Sequence, residues 1–185
     1  MTKTKTILGI DPGTNILGYG VISVDSKGAH YVDMGIFDLR KISDPYEKLA
    51  NIHAGVGELI EQYSPDELAV ESPFYGKNVQ VVLKLGRAQG AAITAAVMKG
   101  MSVAEYAPRK AKIAICGNGA ASKEQVAVML SKTLNVTLDP KHLDATDALA
   151  IALCHHYETS SPLAKAKSTG NWKSFIESNP ERVKK

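Results

Sequence analysis

The chain has 185 residues, of which 44% are hydrophobic, and its 22 lysines and arginines exceed its 19 aspartates and glutamates by a net charge of +3. This length fits one domain with a sizeable core, and the composition excludes an intrinsically disordered chain. Apolar runs fall short of the ~20 residues of a membrane span, and the stretch before Asp11 is too short for a secretory signal. With two cysteines and no metal-type spacing between them, a cytoplasmic protein is expected.

Charge is unevenly distributed along the chain. Six basic and two acidic residues fall within 161–185, so this segment carries +4 and the preceding 160 residues carry about −1. We therefore expect a core domain over residues 1–158 and a flexible basic tail over 159–185. The tail is either a solvated terminus or an additional contact for phosphate groups.

The first third of the chain predicts three strands, over residues 5–10, 17–24 and 30–39. Asp11-Pro12-Gly13 ends the first strand, and Asp25-Ser26-Lys27-Gly28 forms a turn between the other two. Links this short allow only antiparallel hairpins.

The rest of the chain alternates helices and short strands. Ser43 or Asp44 caps a helix that has Pro45 at its first position, and a strand over 67–71 then runs parallel to the first. A helix over 78–99, rich in glycine and alanine, precedes a strand over 102–106 and helices over 108–115, 123–134 and 143–157. This order predicts an α/β fold, a mixed five-stranded sheet with helices on both faces.

Four carboxylates fall where a strand ends or a helix begins. Asp11 and Glu71 follow the first and fourth strands, which should be parallel neighbours, while Asp144 and Asp147 lie one turn apart at the start of the last helix. Helix N-termini also favour acidic residues for structural reasons alone. If all four converge, however, they form a site for hard divalent cations, and two Mg²⁺ ions held by carboxylates suit phosphodiester cleavage.

The turn after the first strand has a second interpretation. Asp11-Pro12-Gly13-Thr14, followed by Gly18 and Gly20, is also the kind of glycine-rich turn that cradles phosphate in sugar kinases and actin-like ATPases. An actin-like fold normally needs two such domains, and 185 residues cannot supply them.

Several other side chains are candidates for nucleic-acid contacts. Phe74, in a proline-flanked turn after Glu71, is placed either to stack on an unpaired base or to cover the core edge. Ser122 and Lys123 would present a helix N-terminus and an ammonium group to phosphate. His142 is either a solvated loop residue or an accessory ligand or proton carrier, and His155 and His156 are expected as cations or caps at a helix end. The basic candidates are Lys77, Lys84, Arg87, Arg109, Lys110, Lys112 and Lys123.

Taken together, these residues resemble the RuvC family of Holliday junction resolvases. The segments that carry the resemblance are ILGIDPGTNILGYGV (7–21), AVESPFYGKN (69–78), LKLGRAQGAA (83–92), GNGAASKEQV (117–126) and HLDATDALAIALCHH (142–156). They cover the chain from about residue 5 to 157 and leave the last 25 or so residues outside.

The resemblance implies a ribonuclease-H-like fold and a homodimer that cuts four-way DNA junctions during recombination and repair, leaving 5′-phosphate ends. It implies two Mg²⁺ ions per site, which Mn²⁺ can replace, and a RuvA/RuvB-type branch-migration complex as partner. The family's catalytic carboxylates match Asp11, Glu71, Asp144 and Asp147, and its DNA-contacting residues match Phe74, Lys112 and Lys123. Some members carry histidine at the position of Asp144, which leaves the role of the nearby His142 open.

Two rival functions remain at this point. YqgF-type nucleases share the fold and the opening turn, but they are typically shorter and lack the Phe74 segment and the long small-residue helix. A non-catalytic junction-binding module would have no use for four carboxylates beside a DNA backbone, because unneutralised carboxylates repel phosphate.

Overall fold

A computed structural model describes residues 4–73, 78–138 and 143–160, and these residues form five strands and five helices. The elements are β1 (Lys5–Asp11), β2 (Ile16–Asp25), β3 (Gly28–Asp38), α1 (Pro45–Tyr63), β4 (Glu67–Glu71), α2 (Val79–Met98), β5 (Ser102–Tyr106), α3 (Pro108–Cys116), α4 (Lys123–Thr133) and α5 (Leu143–Ser160). The predicted elements are all present. Phe74, Lys77, His142 and the tail residues 161–185 lie outside the described residues.

The strands form one sheet in the order β3-β2-β1-β4-β5. The two hairpins are antiparallel, and β1 pairs in parallel with β4, with Ile10 opposite Val70. The predicted parallel pairing of the first and fourth strands is therefore confirmed. It brings the ends of these two strands, at Asp11 and Glu71, to the same edge of the sheet.

Each face of the sheet carries its own hydrophobic core. Leu8 and Ile10 of β1 pack with α1 and α2 on one face, while Ile7 packs with α3, α4 and α5 on the other. Because successive strand residues point to opposite faces, Asp11 lies on the α5 face with Ile7. In β4, Leu68 and Val70 belong to the α1–α2 core and Ala69 to the α5 core, so Glu71 also lies on the α5 face.

The helix α5 lies directly on the backbone of β1 and β2, at three glycines. A Cβ atom built on Gly9 would lie 2.1 Å from the carbonyl oxygen of Ala148, and one on Gly18 would lie 2.1 Å from that of Asp144. A Cβ atom on Gly20 would lie 2.6 Å from the Cα atom of Leu149. These glycines interrupt the apolar alternation of the sequence because the helix backbone occupies the space where side chains would be.

Among the described residues, α2 is a helix whose length and composition would suit a membrane span. The sequence-based expectation was that every apolar run falls short of this length. The helix packs against α1, β4 and β5 and carries Lys84 and Arg87 near its middle. Length and composition alone are weak indicators, because packed helices of soluble proteins meet the same test.

Replacing Gly20 by alanine should destabilise the protein by about 1–3 kcal/mol, the usual cost of overpacking a tightly packed interface. The added methyl group would meet the backbone of α5, which cannot move aside as a flexible side chain would. Urea unfolding followed by circular dichroism measures this change.

The matched control is Gly57→Ala in the middle of α1, where nothing lies within 4 Å of the added methyl group. This variant should gain up to about 1 kcal/mol from the better helix propensity of alanine. Equal stability changes in the two variants would contradict the close approach of α5.

Candidate active site

The four predicted carboxylates meet in one cleft at the edge of the sheet. Oxygen atoms of Asp11, Asp144 and Asp147 lie within 4.8 Å of one another, close enough to share one metal ion. Glu71 lines the same cavity of about 400 Å³. The convergence expected from the strand order and the helix start is therefore present in the structure.

Two local features position these side chains. Parallel pairing of β1 with β4 places Asp11 beside Glu71. The close contact of Gly18 with the Asp144 carbonyl holds the first turn of α5 against the start of β2. Asp144 and Asp147, one helical turn apart, then face the cleft together.

A lysine far away in sequence joins the acidic cluster. Lys123 Nζ lies 3.1 Å from a carboxylate oxygen of Asp144 and 2.6 Å from one of Asp147. It starts α4, which a capping box formed by Ser122 and Gln125 holds in place. The sequence predicts that Lys123 faces phosphate, whereas in the structure its ammonium group pairs with the two aspartates.

Burial makes the charge of these carboxylates costly. Burial, followed by the charges of Asp147 and Asp144, raises the pKa of Asp11, although Lys123 opposes the shift. Burial, followed by the charges of Asp11 and Asp147, also raises the pKa of Glu71. The pKa of Asp147 is raised mainly by burial, against the hydrogen bond from Lys123. The cleft therefore has too much negative charge for a single ammonium group and favours an added cation.

The surroundings of Lys123 favour its charged form, whereas those of the buried carboxylates favour the neutral form. Burial opposes its charge, but the hydrogen bonds and charges of Asp147 and Asp144 outweigh burial and raise the pKa of this lysine above its usual range. Lys123 therefore stays charged at neutral pH and neutralises part of the cluster.

Of two other basic candidates, Lys112 lines the cleft and Arg109 does not. Lys112 lines the acidic cavity, and its charge counteracts the raised pKa of Glu71. Arg109 packs against Gly119 in the loop between α3 and α4 and is not among the residues that line the cavity.

Gln89, which is not among the residues predicted from the sequence, is a buried polar residue of α2 that supports the end of β4. Its side-chain amide donates hydrogen bonds to the backbone carbonyl of Glu71, at 3.3 Å, and to the carboxylate of Glu105, at 2.8 Å. The only sequence signal was a glutamine among apolar residues in a helix, and this pattern does not reveal its partners.

The prediction that His155 lies at the end of the last helix is wrong. α5 continues to Ser160, and His155 is buried, with Nδ1 2.7 Å from the Tyr106 hydroxyl and Nε2 bonded to Glu67. Glu67 lies at the opposite end of β4 from Glu71, whereas Tyr106 is paired with Glu71 across the sheet. For His156, burial lowers the pKa, which disfavours the predicted cation at this residue.

The mixed sheet and the acidic cleft define a nuclease with a ribonuclease-H-like fold. A family model described as crossover junction endodeoxyribonuclease RuvC matches residues 7–155. The chain is 54% identical, over 98% of its own length and 97% of the relative's, to the crossover junction endodeoxyribonuclease RuvC of Bacteroides fragilis.

Solved structures agree with the family model. The structure of RuvC from Thermus thermophilus superposes with a TM-score of 0.74 at 35% identity and covers 83% of this chain and 95% of its own. The same bacterium's RuvC in complex with a Holliday junction substrate gives a TM-score of 0.74 at 32% identity, over 83% and 94% of the two chains. The chain therefore belongs to the RuvC family, which confirms the resemblance seen in the sequence and the predicted fold and nuclease class.

Replacing Asp11 by asparagine should stabilise the metal-free protein more at pH 8 than at pH 5. The raised pKa means that the folded state holds a proton on Asp11 that the unfolded chain releases at lower pH, so stability falls as pH rises through this interval. The asparagine variant escapes this loss. The expected gain at pH 8 is at least about 1 kcal/mol, because one pKa unit corresponds to about 1.4 kcal/mol.

Urea unfolding in EDTA at the two pH values measures this difference. The control is Asp38→Asn, because the carboxylate of Asp38 is exposed, pairs with Arg40 and has a lowered pKa, so its removal should bring no gain. A larger gain for Asp11→Asn at pH 5 than at pH 8 would contradict the electrostatic account.

Proposed function

We propose that this chain is a divalent-metal-dependent endonuclease that resolves four-way DNA junctions by paired cuts during homologous recombination and DNA repair. The observation that carries the proposal is the meeting of Asp11, Glu71, Asp144 and Asp147 in one cleft of a RuvC-family chain. The solved complex of Thermus thermophilus RuvC with a Holliday junction substrate supports the choice of DNA substrate.

The donor set of the cleft fits Mg²⁺. Carboxylate oxygens are the ligands that this hard cation prefers, and the raised pKa values of Asp11, Glu71 and Asp147 indicate that the cluster lacks positive charge. Oxygen atoms of Asp11 lie within 4.8 Å of those of Asp144 and Asp147, and after burial the charge of Asp11 is the largest cause of the raised pKa of Glu71. Asp11 would therefore be shared by two ions, one held with Asp144 and Asp147 and one with Glu71. Bound ions would supply an activated water and neutralise the leaving 3′ oxygen, with Mn²⁺ able to replace Mg²⁺.

The protein's own side chains would perform the remaining tasks. Lys112, on the wall of the cleft, would attract the scissile phosphate. Lys123 would neutralise negative charge on the aspartate pair or on the phosphate. Arg109, Phe74 and Lys77 remain proposed DNA contacts on the strength of their sequence positions, with Phe74 stacking on an unpaired base near the crossover. His142 is an accessory candidate only. The products would carry 5′-phosphate ends.

The alternative functions fit the structure less well. Gly18 and Gly20 pack against α5, so they do not line a phosphate-binding loop of the actin-like kind. The small-residue helix that distinguishes this chain from YqgF-type nucleases is present as the 20 residues of α2. In a passive junction-binding module, the carboxylates of the cleft would only repel the DNA phosphates.

A two-fold dimer would match the approximate two-fold symmetry of a four-way junction and place two sites on like strands. The exposed face of α2 is the proposed contact. A Cβ atom built on Gly86 or Gly90 would meet nothing within 4 Å outside its own helix, while Leu83 and Val97 remain about half exposed there, at 53% and 56%.

We further propose a cytoplasmic location, a RuvA/RuvB-type complex as partner, and a basic segment over 159–185 outside the nuclease domain of residues 1–158.

Neutralising a proposed metal ligand should abolish cutting without abolishing junction binding. Asp11→Asn and Glu71→Gln should each lower the rate of Mg²⁺-dependent nicking by more than about 100-fold, since even partners outside the ligand set cost up to that much. A synthetic four-way junction and a linear duplex, each with Mg²⁺ or EDTA, provide the assay.

Glu124→Gln is the matched control, because Glu124 lies in the first turn of α4 beside Lys123 but outside the acidic cavity. This variant should cut at the wild-type rate. If Asp11→Asn cut the junction as fast as the wild type in Mg²⁺, the catalytic assignment would be wrong.

Introducing a charge on the exposed face of α2 should separate the proposed dimer. Leu83→Glu would bury an unpaired carboxylate in the subunit contact, which costs several kcal/mol, and the protein should then sediment as a monomer at micromolar concentration. Val128→Glu in α4 is the control, since Val128 is equally exposed, at 53%, and lies on a different helix. A wild-type protein that sediments only as a monomer would refute the dimer.

A further inference from the structure

A second cavity, lined by cations, lies on the other side of the β1–β2 loop from the acidic cleft. It has a volume of about 470 Å³ and is bounded by that loop, the start of α1 and one side of α2. Lys48, Lys84 and Arg87 line it, and among the described residues no aspartate or glutamate does. We name it the basic groove.

The positive charge of the basic groove is uncompensated. Within the described part of the chain, neither Lys84 nor Arg87 forms an ion pair with a carboxylate. Lys48 instead donates hydrogen bonds to the carbonyl oxygen of Thr14, at 2.8 Å, and to Oδ1 of Asn15, at 3.0 Å. Three positive charges thus face one concave surface, and the described residues that line it include no anion to neutralise them.

Two carboxylates are direct sequence neighbours of groove residues. Glu47, between Tyr46 and Lys48, is exposed and does not line the groove, and Asp44 caps a helix. Asp44 lies between two lining residues, Ser43 and Pro45, and caps α1 by accepting hydrogen bonds from the backbone N–H groups of Tyr46 and Glu47. The helix N-terminus is therefore already satisfied, and the attraction of the groove for anions rests on the three cationic side chains.

The groove and the acidic cleft have the β1–β2 loop and α2 as common walls. Asp11, Pro12, Gly13 and Ile16 of the loop line the cleft, while Thr14 and Asn15 between them line the groove. On α2, Leu85 contacts the cleft and its neighbour Lys84 contacts the groove. A polyanion that passes through the cleft would therefore meet the groove as it continues past the loop.

We infer that the basic groove binds the phosphodiester backbone of a DNA segment adjoining the strand that is cut, with Lys84 and Arg87 as direct phosphate contacts and Lys48 holding the loop between the two cavities. Tyr46, which is exposed at the rim of the groove, would pack against the sugars of the same segment. This inference rests on the proposed function, since it requires that DNA occupies the cleft.

The test compares two double variants with the wild type on the same synthetic four-way junction. K84Q/R87Q removes both positive charges. K84R/R87K keeps a positive charge at each of the same two positions. Junction affinity is measured by fluorescence anisotropy in EDTA at several salt concentrations, and the nicking rate is measured in Mg²⁺ with protein in saturating excess.

K84Q/R87Q should bind the junction about tenfold more weakly, and the slope of log affinity against log salt should fall by about 2, because each lost phosphate contact removes about 0.9 from the slope. K84R/R87K should keep both the affinity and the slope of the wild type. The nicking rate of the wild type in Mg²⁺ tests the proposed function separately.

A third variant, K27Q/K132Q, controls for net charge with two exposed lysines that line neither cavity. If K84Q/R87Q lost no more affinity than K27Q/K132Q, the groove assignment would be overturned. It would also be overturned if K84Q/R87Q sedimented as a smaller species than the wild type, which would assign the two residues to subunit contact. A wild-type protein that bound and nicked no junction would instead refute the proposed function itself.

Discussion

The close approach of α5 to the backbone of β1 and β2 is the constraint on which the active site depends. Only glycine fits at residues 9, 18 and 20, because a Cβ atom at each would meet the helix within 3 Å. With the helix held there, Asp144 and Asp147 reach the edge where β1 and β4 end. Two long-range relationships, a parallel strand pair and a helix seated on glycines, thus bring together carboxylates that are more than 130 residues apart in sequence.

The same geometry creates an electrostatic problem, which the rest of the cleft counteracts. Burial raises the pKa values of Asp11 and Glu71, so the folded chain is less stable at neutral pH than it would be without these charges. Lys123 and the nearby Lys112 offset part of the repulsion. The destabilisation is the expected accompaniment of a functional site, since groups arranged to bind a cation are poorly arranged when the cation is absent. The basic groove on the far side of the loop adds a positive surface beside this negative one.

Much of this arrangement could be predicted from the sequence because it follows from local rules. Strand alternation, short hairpin links and a strand–helix–strand connection were sufficient for the mixed sheet, and strand ends and helix starts identified the four carboxylates. What could not be predicted depends on contacts between distant segments. The glycines of β2 resemble those of a phosphate-binding loop, and His155 was expected at a helix end. No pattern in the sequence identifies Gln89. Each side chain finds its partner only after the sheet and helices have packed, and no spacing along the chain encodes that partner.

The pairing of Lys123 with Asp144 and Asp147 has a consequence for the uptake of any cation. The chain itself supplies part of the counter-charge of these two carboxylates, so a cation that binds the pair would compete with the lysine ammonium group. The strength of this competition would set the concentration at which the cleft fills.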